Sequence, residues 1–276
     1  MVGAAGGTDA PGTSLTSSSP SSSSASPSRS KSASASAKAK AKGEGGGDDK
    51  GDTSDSSGAA PGTAATPPAT TAPPATHAAP NFPVPASPGD ATQLITVKAS
   101  GSYATVTAWA KGASGWKAQF STSAGRVGSR GVTNGATRQQ GTYTTPSGTY
   151  SITEGFGVQA GGTSMPYHVV NSSDWWVEDP QSKFYNSRHS ATGADFPLTE
   201  AGDRGSEHLV NYPTQYAKAL VIDFNRWPAT PGRGAGIFLH VNGNGATAGC
   251  VSVPRATMDQ IMGWIRPGAH PRIAIG

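Results

Sequence analysis

The sequence predicts an all-β (mostly β) fold, antiparallel or mixed, with one C-terminal helix and a long disordered tail ahead of it. Three observations point there. Composition breaks near residue 90 of the 276. From Thr92 onward, short alternating apolar runs are separated by Gly, Ser, Asn and Pro. Only after Pro254 do apolar residues recur at helical spacing.

In residues 1–90, Ser, Ala, Gly, Thr and Pro fill 70 positions, and Phe82 is the only aromatic residue. So little large apolar surface cannot offset the entropy of ordering the chain. Residues 1–90 therefore read as a disordered tail and linker, and residues 91–276 as one domain with its own core. Ser dominates residues 14–28, Lys alternates with Ser and Ala in 31–42, and Pro, Ala and Thr fill 59–90. The last type favours an extended spacer, and a flexible chain of this length reaches roughly 50 Å. His77, in the tail, reads as solvated.

The elements follow in order. Ile95 and Val97 mark one face of a first strand. Ala104, Val106, Ala108 and Ala110 alternate through a second, and Trp116, Ala118 and Phe120 through a third. In TTPSGTYSI, Pro146 and Gly148 predict a turn before another strand. Trp175 and Trp176 are expected in the core. Leu220, Ile222 and Phe224 share one side of a strand over 217–224. Pro254 suits a first helical position, Met258, Ile261, Met262 and Ile265 share a face, and Pro267-Gly268 stops the helix. His208 and His270 read as solvated loop residues.

Charge and cysteine content narrow the function. Residues 1–90 carry six Lys/Arg and seven Asp/Glu, leaving the domain 15 and 10, a net +5. That suits an anionic polymer, but the dense Lys/Arg stripes of a nucleic-acid binder are absent. A single cysteine excludes an intramolecular disulfide and a zinc site of several thiolates. No apolar run approaches the ~18 residues of a membrane span. Residues 1–7, MVGAAGG, have neither the charged start nor the apolar centre of a signal peptide. If the start codon lies upstream, they are the small-residue tail of one.

The chemistry gathers at the one cysteine. Cys250 stands in TAGCVSV, ten positions after His240 in GIFLHVN. Ile237, Leu239 and Val241 alternate towards a core, so Phe238 and His240 face the other way. Val251 and Val253 do the same in the second segment, so Cys250 and Ser252 face away. If the segments are neighbouring strands joined by loop 242–248, thiol and imidazole emerge on one face. A free thiol is only a few per cent thiolate at neutral pH, and an adjacent imidazole that takes its proton makes it a strong nucleophile. Gly249 permits a tight turn, and its N–H with that of Cys250 can meet the oxyanion of a tetrahedral intermediate. The bland readings stay open at this point: a lone Cys as a small buried hydrophobe, a lone His as a satisfied strand residue.

The stretch GIFLHVNGNGATAGCVSVP resembles the active-site segment of the L,D-transpeptidase catalytic domain, also called the YkuD domain, in its secreted actinobacterial-type members. That family's pattern is a His, a spacer, then Ser/Thr-His-Gly-Cys, an apolar residue, and Asn or Arg. Here His240, Thr247, Gly249, Cys250 and Val251 match. GTYTTPSGTYSI, WWVEDPQSKFYN and ALVIDFN followed by PGRGAGIFLH agree with it upstream, so the resemblance covers roughly residues 93–276. Three departures stand out: a short spacer, Ala248 in place of the second His, and Ser252 in place of Asn or Arg.

The resemblance implies a β-sandwich or barrel and a two-step acyl transfer in peptidoglycan. Cys250 would attack the third residue of a tetrapeptide stem, with His240 as its base and the Val241 carbonyl orienting the imidazole. Gly249 and Thr247 would support the oxyanion and the turn. An acceptor stem amine would then complete a cross-link; water instead would make the enzyme an L,D-carboxypeptidase. The expected protein is a cell-wall, extracellular monomer whose partners are stem peptides, with no cofactor and no metal. Two other classes compete. A sortase would use His189, 61 positions before Cys250, with Arg255 or Arg266, but lacks its Thr-Leu-x-Thr-Cys signature here. A wall-binding module would bind without turnover. A zinc site of His168, His240 and Cys250 has no recognisable ligand spacing.

Overall fold

Residues 80–276 are described by a computed structural model, in which the alternating runs become strands of a closed sheet. β1 (Gln93–Ser100), β2 (Tyr103–Gly112) and β3 (Gly115–Arg126) form an antiparallel meander. β4 (Val132–Asn134) is short and β5 (Thr145–Gly157) is long. β6 (Tyr167–Val169), β7 (Asp174–Trp176), β8 (Arg188–Ser190) and β9 (Glu207–His208) follow as small strands. The chain ends with β10 (Ala219–Ile222), β11 (Phe238–Val241), β12 (Val251–Val253), helix α1 (Arg255–Trp264) and β13 (Arg272–Ile275).

The main sheet runs β10-β11-β12-β3-β2-β1-β13-β5, and β5 pairs back onto β10. The sheet thus closes, leaving these strands no free edge. It is mixed: β1 lies parallel to β13, and β11 to β12. A parallel pair cannot be joined by a hairpin. Residues 242–250 make that crossing between β11 and β12, and the cysteine sits at its end.

Both faces of β10, β11 and β12 are covered, which is why these strands are buried at every position. Leu220, Ile222, Leu239, Val241, Val251 and Val253 face one core with Ile95, Val97 and Ile152. Helix α1 adds Met258, Ile261, Met262 and Ile265 to it, the face its spacing predicts. Ala219, Val221, Phe238 and Cys250 face a second core closed by Phe156, Trp176 and Tyr216. Trp175 and Trp176 are buried, on the three-stranded sheet β8-β7-β9.

Four expectations change. Pro254 is the cap residue before α1, whose first residue is Arg255. Pro146 and Gly148 lie within β5, not in a turn; pairing with β13 starts only at Gly148, so the N–H that Pro146 lacks is not missed there. Ala118 is exposed, because a bulge between Ala108 and Trp109 reverses the facing along β3. Trp116 consequently joins one cluster and Phe120 the other. His208 belongs to β9 and stacks on Trp175 at 4.4 Å.

Packing also begins before residue 91. Val84 is buried with Leu94 and Ala274, and Phe82 meets Trp109 and Trp116 edge-on at 5.3 and 5.6 Å. The rest of the tail, His77 included, lies outside the described residues. Among the described residues, no helix is long and apolar enough to cross a membrane.

Candidate active site

The register of β11 against β12 sets Leu239 beside Val251 and His240 beside Ser252. Cys250 therefore falls beside Phe238, whose N–H donates to Sγ at 3.3 Å. His240 stands two residues further along β11, on the same face. Both side chains line a cavity of about 190 Å³ with Tyr216, Glu207 and Thr247. Cys250 also borders a larger cavity of about 690 Å³ that holds Arg138 and Glu178.

His240 is buried, with Nδ1 2.8 Å from the carbonyl oxygen of Val241. A carbonyl only accepts, so Nδ1 carries the proton and Nε2 keeps a free lone pair. Burial pushes its pKa down to about 4, so at neutral pH the imidazole is an uncharged base. Sγ of Cys250 donates to the Gly236 carbonyl at 3.2 Å. Burial, then the charges of Glu207 and Glu178, push this thiol far up, against the opposing pull of the Phe238 N–H and Arg138. At neutral pH the thiol and the imidazole are therefore both uncharged at rest.

The turn that carries Cys250 is clamped. Thr247 Oγ1 donates to the Cys250 carbonyl at 2.6 Å and accepts the Gly249 N–H at 3.2 Å. Thr145 Oγ1 donates to the same carbonyl at 3.2 Å while accepting from Gly128 N–H. Gly249 N–H, expected to face an oxyanion, is thus engaged by Thr247. A Cβ at Gly249 would fall 2.8 Å from Nη2 of Arg138, so a larger residue there would push the guanidinium aside.

Sequence reasoning missed four residues here. Arg138 is 95% buried, since its relative exposure is 5%. It donates from Nε to Thr144 O at 2.7 Å and from Nη1 to Arg233 O at 3.3 Å. Glu178 is half-buried and pushed well above the carboxylate range by burial and by the charge of Glu207. Glu207, pushed up to about 7 by burial, accepts a 2.5 Å hydrogen bond from Tyr216. The Tyr216 ring meets His240 edge-on at 5.5 Å. One signal was available: Glu178 follows the apolar run Trp175-Trp176-Val177 directly, an odd place for a carboxylate.

The other histidines lie elsewhere. His168 Nε2 is 2.8 Å from the Asp174 carboxylate. His189 packs on Phe184, and His270 pairs with Asp90. None of the three borders either cavity at Cys250.

The profile of the YkuD L,D-transpeptidase catalytic domain matches residues 94–275. The chain belongs to this family. No curated protein matches it. Among solved structures it is similar to Bd1075 of Bdellovibrio bacteriovorus, at 14% identity and a TM-score of 0.35. It is also similar to Pgp2 of Campylobacter jejuni, described as a helical cell shape determining protein, at 11% and 0.33. Each match covers 67% of this chain and 48% of the other, so the chain spans about half their length.

Within the L,D-transpeptidase domain, the two residues that replace motif positions have places. Ala248 is exposed at the mouth of both cavities. Ser252 is fully buried and donates to Asn242 Oδ1 at 2.7 Å, which ties the start of the crossover to its end.

Proposed function

We propose that the domain is a peptidoglycan L,D-transpeptidase using Cys250 as nucleophile and His240 as general base. Membership in the family makes the cell wall the expected place of action. The observation that carries the reading is that the single thiol and a buried imidazole line one cavity, although the thiol at rest donates to the Gly236 carbonyl and not to the ring. Nδ1 of that imidazole is pinned to the Val241 carbonyl and Nε2 is left free, with both groups in one cavity.

Sγ attacks the carbonyl of the third residue of a tetrapeptide stem while Nε2 of His240 takes the thiol proton. The carbon–nitrogen bond to the fourth residue breaks, and the same proton goes to the leaving amine. An acceptor stem amine resolves the thioester, giving a third-to-third cross-link. The Cys250 N–H, just ahead of β12, is the donor this reading assigns to the oxyanion. The enzyme works as an exported monomer, and its Pro/Ala/Thr-rich N-terminal segment supplies reach into the wall.

Carbapenems acylate this family, so mass spectrometry tests the nucleophile. Wild type should gain the mass of one carbapenem and Cys250→Ala none. Equal labelling of both would remove Cys250 from the reaction. Incubation with a disaccharide-tetrapeptide should give a cross-linked dimer; a tripeptide product alone would mean that water is the acceptor.

A further inference from the structure

Arg138 is a buried guanidinium with no charge opposite it. Its two hydrogen bonds go to the main-chain carbonyls of Thr144 and Arg233, and it forms no ion pair with the described residues. The Phe224 ring, 5.6 Å from Cζ, lies near the outer limit for a cation–π contact. Glu178 lines the same cavity, close enough for each charge to shift the other's pKa, yet the two do not pair. Burying an unpaired cation is costly, and the natural relief is an anion arriving from solvent. Nη2, free of protein acceptors, lies against Gly249, next to the nucleophile.

We infer that Arg138 binds the C-terminal carboxylate of the donor stem, the carboxylate of the residue that leaves. This rests on the acyl-transfer reading above. In a substrate cut at its last peptide bond, that carboxylate lies within about 4 Å of the attacked carbonyl carbon. A group beside Gly249 is therefore at the right distance from Cys250 to hold it. Arg suits the task, because its planar fork meets a carboxylate through two parallel hydrogen bonds. Glu178 and Glu207, both pushed up by burial, offer less opposing charge near neutral pH than two ordinary carboxylates would. The carboxylate takes no part in bond exchange: it leaves with the amine, as a free amino acid. Arg138 thereby makes the enzyme exo-acting, able to remove one terminal residue and excluding chains that run on.

The test compares a tetrapeptide stem bearing a free terminal carboxylate with the same stem as its carboxamide. Wild type should favour the acid by at least about 100-fold in kcat/KM, since a site built for a polar group rejects analogues lacking it. Arg138→Gln should lose most of that preference, bringing the two substrates within about tenfold, mainly through a higher KM for the acid. Arg138→Lys should keep part of it. If wild type cleaves acid and amide alike, the inference fails while the acyl-transfer reading stands; if it cleaves neither, that reading fails. A fall in kcat of equal size on both substrates in Arg138→Gln would place the guanidinium on the reacting carbonyl and overturn the proposal. The wild-type comparison decides the matter even if Arg138→Gln does not fold.

Discussion

In the proposed reaction, the part His240 plays depends on where its proton is held. With Nδ1–H fixed on the Val241 carbonyl, Nε2 is the only basic atom on the ring. A general base contributes about 10²–10⁴-fold, so His240→Ala should slow Cys250 acylation by that order. His189→Ala should change it less than about tenfold, because His189 packs on Phe184 away from the thiol. Both variants need a folding check by circular dichroism, since His240 sits between two cores. Normal acylation by His240→Ala would refute the assignment. The pH profile gives a second check. Burial lowers the imidazole to about 4, so the base form persists to lower pH than an ordinary histidine allows. The acid limb of the acylation rate should fall near pH 4 rather than near 6.5. That His240 and Cys250 share a face was legible in the sequence because strand parity fixes which side chains point the same way. Arg138, Glu207 and Tyr216 were not, because distant loops bring them to the thiol and no local period marks them.

At the scale of elements, parity also located the apolar faces of β1, β10, β11 and α1, where the strands are straight and the helix is regular. It failed in β3, where one extra residue inverts every side chain beyond it and nothing local announces the bulge. It failed at Pro146 too, because turn chemistry and a strand segment paired on one side only look alike in sequence. The composition break near residue 90 hid a packed segment for a different reason: one Phe and one Val among prolines do not alter a composition. Phe82 covers the outer face of β2 and β3 through Trp109 and Trp116. Removing residues 1–79 should leave the melting temperature unchanged. Phe82→Ala should cost about 1–2 kcal/mol for a half-buried ring, a fall in Tm of roughly 2–8 °C. Differential scanning calorimetry separates the two, and an unchanged Tm in Phe82→Ala would show that the ring's contacts contribute nothing.

For the whole molecule, the site's uncharged resting state has a cost that depends on pH. His240 binds its proton only below about pH 4 when folded, whereas an exposed histidine binds it below about 6.5. Between those values the unfolded chain holds the extra proton, so stability falls as pH falls. The shift corresponds to about 3 kcal/mol, lost as pH drops from 6.5 to 4. Glu207 works in the opposite direction. Its folded pKa of about 7 lies above the ordinary value of 4.5, so the folded chain holds the extra proton and stability falls as pH rises through that window. The two slopes oppose each other, but Glu178 and Asp223, also raised by burial, act in the same direction as Glu207, so wild type should lose some stability as pH rises from 4.5 to 6.5. Substitution separates them. His240→Gln removes the acid-side loss, so its stability should decline more steeply than that of wild type from pH 4.5 to 7, while Glu207→Gln removes part of the other slope and should decline less than wild type over the same range. Asp174 and Asp179, both held low while paired with Arg or His, titrate identically in all three proteins and cancel from the differences. Urea unfolding at four or five pH values measures each slope. Parallel curves for wild type and both variants would mean that neither group is perturbed by burial, and the neutral thiol–imidazole pair would lose its physical basis.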